Sequence, residues 1–222
     1  MKQFIHQSRI LPTTFQYLTT AFFAVTVIMS SCKKEDDDFP EPEPSSLGIK
    51  NAYDIIADTG NVGIYTFYSL SENKVIDQAD SATTKWDLGF KGTTIITNSG
   101  VSGPGNGGAT IMVGIFEELT TAPSSGYATD GTGSLAIPTG SDNGWYHYTG
   151  TTSPEHAILP IAGKIIMVRT AEGKYAKVEI LSYYKGSPNT TTAGFVDSGT
   201  RPPGKHYNFR FSYQPDGSTN LN

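Results

Sequence analysis

Near its C-terminus the chain alternates polar and aromatic side chains: His206, Asn208, Arg210 and Ser212 fall on one side, Tyr207, Phe209, Phe211 and Tyr213 on the other. A period of two puts successive side chains on opposite faces of a strand. An aromatic face on a core and a polar face in water is the pattern of an antiparallel sheet covered on one side. His206 is therefore expected to meet solvent. Trp86, Leu88 and Phe90 share a face in the same way, and residues 64–70, 93–97 and 109–116 are further runs rich in Ile, Thr, Tyr and Phe. Residues 164–169 and 174–181 flank Thr170-Ala171-Glu172-Gly173. Gly173 can adopt the left-handed conformation that a short hairpin loop needs. No stretch sustains the period of an amphipathic helix. The pattern predicts an all-β fold, a single antiparallel β domain over residues 48–222. Three long loops interrupt it, at residues 98–108, 124–143 and 186–204. Loops of that length in a compact domain often carry function.

The start of the chain has a different pattern. Lys2 and Arg9 precede an apolar run over residues 15–29, which ends at Ser30, Ser31 and Cys32. That run is short for a spanning helix, which needs roughly 20 apolar residues. It reads as a lipoprotein signal peptide over residues 1–31, with Cys32 as the lipidated N-terminus of the mature protein. Two acyl chains suffice for a stable membrane anchor. Residues 32–47 then form a tether, acidic from Glu35 to Asp38 and alternating Pro and Glu from Pro40 to Pro44. Such a segment cannot build a core and stays extended. The acidic run just after Cys32 resembles the export signal of surface lipoproteins. The expected location is the outer membrane, lipid-anchored and facing the cell exterior, with a periplasm-facing anchor as the alternative.

Charge and cysteine content sharpen this. The leader holds two of the 16 Lys and Arg and no acid, so the mature chain carries 14 bases against 21 acids, a net of −7. That balance argues against nucleic-acid binding. Cys32 is the single cysteine. It excludes an internal disulfide, and lipidation would remove the thiol.

Candidate chemistry is sparse. Residues 103–108 match G-x-G-x-x-G but lie between two predicted strands and open no helix, so they read as a flexible inter-strand loop. No HExxH, CxxC, GxSxG or P-loop occurs. Asp87, beside Trp86, is a candidate buried acid, though an Asp in a strand more often faces water or pairs with a cation. Asp80-Ser81-Ala82 resembles a short bacterial glycosylation site. His147 sits in Trp145-Tyr146-His147-Tyr148, and alternation puts it on the face of Trp145. His156 follows Thr151-Thr152-Ser153-Pro154-Glu155 in a loop from which a side chain can reach outward.

Several stretches in order carry a family resemblance: Lys85-Trp86-Asp87-Leu88-Gly89-Phe90, Thr97-Asn98-Ser99-Gly100 with the Gly-rich run to Ala109, residues 164–178, and Tyr207-Asn208-Phe209-Arg210-Phe211-Ser212-Tyr213. Together, over about residues 53–213, they resemble the HmuY-like heme-binding lipoprotein family. The resemblance implies an all-β domain that holds heme between loops. It also implies a hemophore role, with heme passed to an outer-membrane TonB-dependent receptor and no enzymatic activity. Heme needs apolar walls and an axial group such as neutral imidazole or a thioether.

In family members that use two histidines, one follows a Gly-Trp pair by a few residues. Gly144-Trp145 is present here, but Thr149-Gly150 falls at that position. The other lies between a Gly-Tyr pair and that Trp, and residues 126–145 contain neither His nor Met. His156 is then the first candidate for the metal, His147 the second. Trp145, Tyr146 and Tyr148 are candidate pocket residues, the two tyrosines also as phenolate ligands. Met112 and Met167 read as core. A different reading keeps the scaffold but makes it a surface interaction lipoprotein that binds a glycan, peptide or partner protein. A hydrolase has no supporting constellation.

Overall fold

The computed structural model describes residues 47–58 and 61–222. The expected signal peptide, Cys32 and all but the end of the tether lie outside the described residues. The described residues from Leu47 to Asn222 belong to one compact unit. Among the described residues the strands are β1 (Lys50–Ile56), β2 (Thr66–Ser69), β3 (Lys74–Ile76), β4 (Leu88–Lys91), β5 (Thr94–Thr97), β6 (Gly108–Val113), β7 (Tyr146–Tyr148), β8 (Ile158–Pro160), β9 (Lys164–Arg169), β10 (Tyr175–Ser182) and β11 (His206–Gln214). One helical turn, α1, covers Ala193–Val196. The strands build a five-stranded sheet in the order β1-β11-β10-β9-β6, a four-stranded sheet in the order β3-β2-β4-β5, and the β7-β8 pair. Every pairing is antiparallel. The fold is all-β, as the pattern predicts.

The aromatic face of β11 makes the core. Tyr207, Phe209 and Phe211 are fully buried. Phe209 meets Phe90 of β4 at 5.6 Å and the edge of Tyr68 of β2 at 5.2 Å, so the two larger sheets face each other through aromatic contacts. Such rings each bury roughly 150–250 Å² and dominate core energetics. These contacts lie within residues 47–222, which therefore contain their own core and can be purified and tested as a domain. The β9–β10 hairpin closes as expected: Gly173 has φ +80 and its N–H donates to the Thr170 carbonyl.

The polar face of β11 differs from expectation. His206 is 8% exposed, Asn208 2% and Ser212 1%. Residues 115–122 and the C-terminus fold over this face. Lys177 Nζ donates to the carbonyls of Phe116 (2.8 Å) and Leu119 (3.1 Å), and Leu221 N–H donates to the Thr120 carbonyl. Arg210 lies over the Phe116 ring and pairs with Glu179 and Glu117. Toward the start of β11 the polar face finds acceptors in other backbone rather than in water: His206 Nδ1 is 2.8 Å from the Gly204 carbonyl, and Asn208 donates to the Tyr184 carbonyl. Alternation records side-chain polarity, and a covering loop with its own acceptors leaves no mark in it.

Lys177 is buried and its ammonium is pulled below the ordinary lysine range by that burial. Replacing it with Met removes both donors and orphans two carbonyls, at a cost of about 2 kcal/mol. The expected result is a lower denaturation midpoint together with faster amide exchange over residues 115–122. Unchanged exchange there would mean that Lys177 does not hold the strap.

The glycine-rich run at 98–108 is ordered around Asn98. Asn98 Nδ2 donates to the carbonyls of Thr83 and Trp86, and its Oδ1 accepts from Gly105 N–H. A Cβ at Gly105 or Gly107 would come within 2.7 or 2.6 Å of the Asn98 carbonyl oxygen. These glycines let backbone pass close to backbone, which corrects the expectation of a flexible loop.

Candidate functional site

The β7–β8 hairpin presents His156. Tyr148 pairs with Ile158 across it, and Thr149 fastens the connecting loop. Thr149 Oγ1 donates to the Pro154 carbonyl at 2.6 Å and accepts from Ala157 N–H at 2.8 Å. His156 N–H closes on the Gly150 carbonyl at 2.7 Å. Gly150 and His156 both sit at positive φ, +56 and +54. Glycine adopts that conformation freely, whereas a residue with a Cβ seldom does. Thr149-Gly150, which cannot themselves ligate a metal, thus build the turn that carries the histidine outward.

Tyr148 and His156 come together. Tyr148 Oη lies 2.6 Å from His156 Nδ1, and the rings stack at 6.1 Å and 28°. With the proton on Nδ1 donated to the phenol oxygen, the Nε2 lone pair faces away from that bond. A metal-binding imidazole is usually held in this way, by a partner on its other nitrogen.

His156 lines a groove of about 490 Å³. Ile158 of β8, Tyr183 and Tyr184 just beyond β10, and Arg201, Pro202, Pro203 and Lys205 before β11 complete most of it. A volume of this order suits a small-molecule ligand. Tyr184 is fixed by the Ile158 N–H, which donates to its Oη at 2.9 Å, and by the Phe195 ring at 4.8 Å. Phe195 is the buried plug of α1 and anchors the third long loop against the core. Burial pushes the Tyr183 phenol well above its ordinary value, so it contributes as a neutral aromatic wall. Arg201 lies 4.9 Å over the Phe195 ring and donates from Nε to the Phe195 carbonyl at 2.9 Å. Lys205 is a second non-glycine residue at positive φ, +62, in the same groove. Backbone of this kind persists where the surrounding structure enforces it, and it clusters at ligand sites.

The other expected pocket residues are placed elsewhere. Trp145 is 2% exposed, packed on Tyr207 and Tyr183, with its Nε1 donating to the Thr93 carbonyl. Tyr146 is buried, with its Oη accepting from Thr93 Oγ1. Both belong to the core rather than to the groove lining. His147 is exposed, not on the face of Trp145, because the two-residue alternation breaks at Tyr146. Its Nδ1 pairs with Asp142 at 2.8 Å. The Ser141 hydroxyl, followed by His147, holds the Asp142 carboxyl below its usual range. Asp87 is buried with both oxygens accepting backbone N–H groups, from Leu70 at 2.8 Å and Ala171 at 3.0 Å. It ties sheet to hairpin and does not line this groove. Among the described residues no three His, Cys, Asp or Glu side chains cluster to hold a metal ion.

The sequence points to the loop at 186–204, which contains Arg201, but not to the groove residues Tyr183, Tyr184 and Lys205. The dipeptide Pro202-Pro203 between two cations was the available signal. Its meaning depends on His156, remote in sequence and brought to the same groove by the fold.

In comparisons with known proteins, a family described as HmuY protein matches residues 63–196. No curated protein matches the chain. Among solved structures, a HmuY-like heme binding protein from Bacteroides vulgatus aligns with a TM-score of 0.47 at 16% identity, covering 77% of this chain and 94% of its own. The apo HmuY analog of Tannerella forsythia gives 0.47 at 14% identity, over 76% and 95%. A protein from Bacteroides fragilis described as a lipoprotein gives 0.45 at 13% identity, over 78% and 94%.

Proposed function

The chain belongs to the HmuY family, and from that membership we propose that it is a binding protein that takes up heme, or a related porphyrin, in the groove beside His156. The observation that carries this reading is the imidazole. Its Nδ1 is engaged by Tyr148, so Nε2 is the free donor nitrogen, at the lining of an aromatic groove of suitable volume. Pro202, Pro203 and the small exposed parts of the buried Tyr183 and Tyr184 offer apolar surface to a flat macrocycle. His156 would supply an axial ligand to iron.

The wider role follows as part of the same proposal. Lipidated at Cys32, the protein stands on the outer membrane facing outward, captures heme and passes it to a TonB-dependent receptor. No helix among the described residues is long and apolar enough to cross a membrane.

Titrating the purified domain, Pro42–Asn222, with hemin tests the binding step. A sharp, saturable Soret band at equimolar hemin is expected. A spectrum no different from that of a control protein at micromolar hemin would rule the reading out.

A further inference from the structure

The charged side chains that line the groove, besides His156, are both cations: Arg201 and Lys205. This is notable in a chain whose formal net charge is −5. Among the described residues neither lies within ion-pair distance of a carboxylate. The acid beside Lys205 in space and the acid nearest Arg201 in the chain are both occupied elsewhere. Asp58 accepts the N–H groups of Val62 and Gly63 with its two carboxylate oxygens and offers Lys205 only its backbone carbonyl, at 3.1 Å. Asp197 directs its carboxylate to Gly199 N–H.

Both cations are nevertheless held in place. Arg201 donates from Nε to the Phe195 carbonyl and from Nη2 to the Val196 carbonyl. Its Nη1 makes no hydrogen bond among the described residues. Lys205 donates to the Asp58 carbonyl and to Asn61 Oδ1, and an ammonium has three donors. Neutral carbonyl and amide oxygens fix these side chains without cancelling their charge, and each cation keeps N–H donors in reserve. Carboxylates take such donors in short, charge-assisted hydrogen bonds.

We infer that Arg201 and Lys205 form a carboxylate clamp, so that the groove selects an amphiphilic anion, with an apolar plate against Tyr183, Tyr184 and the prolines and acidic groups at the two cations. The inference rests on the porphyrin reading and adds to it. Recognition then depends on the ligand's carboxylates as well as on its iron, and a metal-free porphyrin diacid binds too.

The test compares three probes on the domain: hemin, protoporphyrin IX and protoporphyrin IX dimethyl ester, each followed by absorbance and by quenching of protein fluorescence. The free acid is expected to bind at least about tenfold tighter than the ester, since each charge-assisted contact contributes on that order. Arg201→Gln with Lys205→Gln should erase this preference, so that free acid and ester bind alike. The acid–ester comparison on the unaltered domain needs no substitution, so it stands even if the double variant folds poorly. Equal affinity for acid and ester, with hemin still bound, overturns the clamp alone. Binding of none of the three overturns the clamp together with the porphyrin reading.

Discussion

Replacing His156 with Ala is expected to lower the hemin affinity of the domain by about 100-fold and to flatten its Soret band, because the iron loses its imidazole. Tyr148→Phe should act in the same direction but less, by roughly tenfold. It removes the hydroxyl that engages Nδ1 at 2.6 Å and frees the ring to turn or to change tautomer. His147→Ala serves as the control: that ring is engaged by Asp142 on the surface, and its loss should leave the titration unchanged. Binding that survives His156→Ala intact, or that follows His147 instead, would move the iron ligand elsewhere.

Asp87→Ala is expected to cost about 3 kcal/mol of stability, since it orphans two buried N–H groups at about 1–3 kcal/mol each. Those groups belong to Leu70, just past β2, and to Ala171, in the β9–β10 turn. Asp87 therefore joins the four-stranded sheet to the five-stranded one, and its loss should loosen both. The pH dependence has a definite sign. Burial, only partly offset by the two N–H donors, raises the carboxyl from 3.8 to about 6. The folded state thus binds this proton more tightly than the unfolded chain does. The stability Asp87 adds is full below the unfolded value and is lost as pH rises through about 6. A shift of this size corresponds to an order of 3 kcal/mol between the two limits. The gap between the parent domain and Asp87→Ala, read from denaturant midpoints, should narrow between about pH 4 and pH 7. A gap that widens over that range would mean that the carboxylate, not the acid, is the form the fold prefers.

Both results bear on what was legible beforehand. Strand positions in the C-terminal half followed from local pattern: β9, β10 and β11 lie within a residue or so of the predicted runs, because each carries a clean apolar face and a Gly-marked turn. β1, β3 and β8 have no such signal, and β7 shows only as the alternation assumed at Trp145 to Tyr148. They are short or irregular, and β1 shifts register between Ala52 and Ile55, which breaks the period that would reveal it. The candidate site was legible in two residues. His156 and Tyr148 meet, as the chain's few histidines and aromatic run allowed. Trp145 and Tyr146 share the same aromatic run but turn inward, since the core beneath them is lined by Tyr183, Tyr207 and Thr93.

The sequence by itself determined the all-β class, the aromatic core face of β11, the family resemblance and the loop that bears His156. These depend on local alternation, turn chemistry and short motifs, which act over a few residues. Only the tertiary structure decided that Tyr183, Tyr184, Arg201 and Lys205 join His156 in one groove, that His206 is covered, and that Asp87 is a tie between sheets. Each of these depends on which distant backbone supplies a hydrogen-bond partner or excludes water, and that is settled by how the sheets and straps pack, not by the neighbours of a residue in the chain.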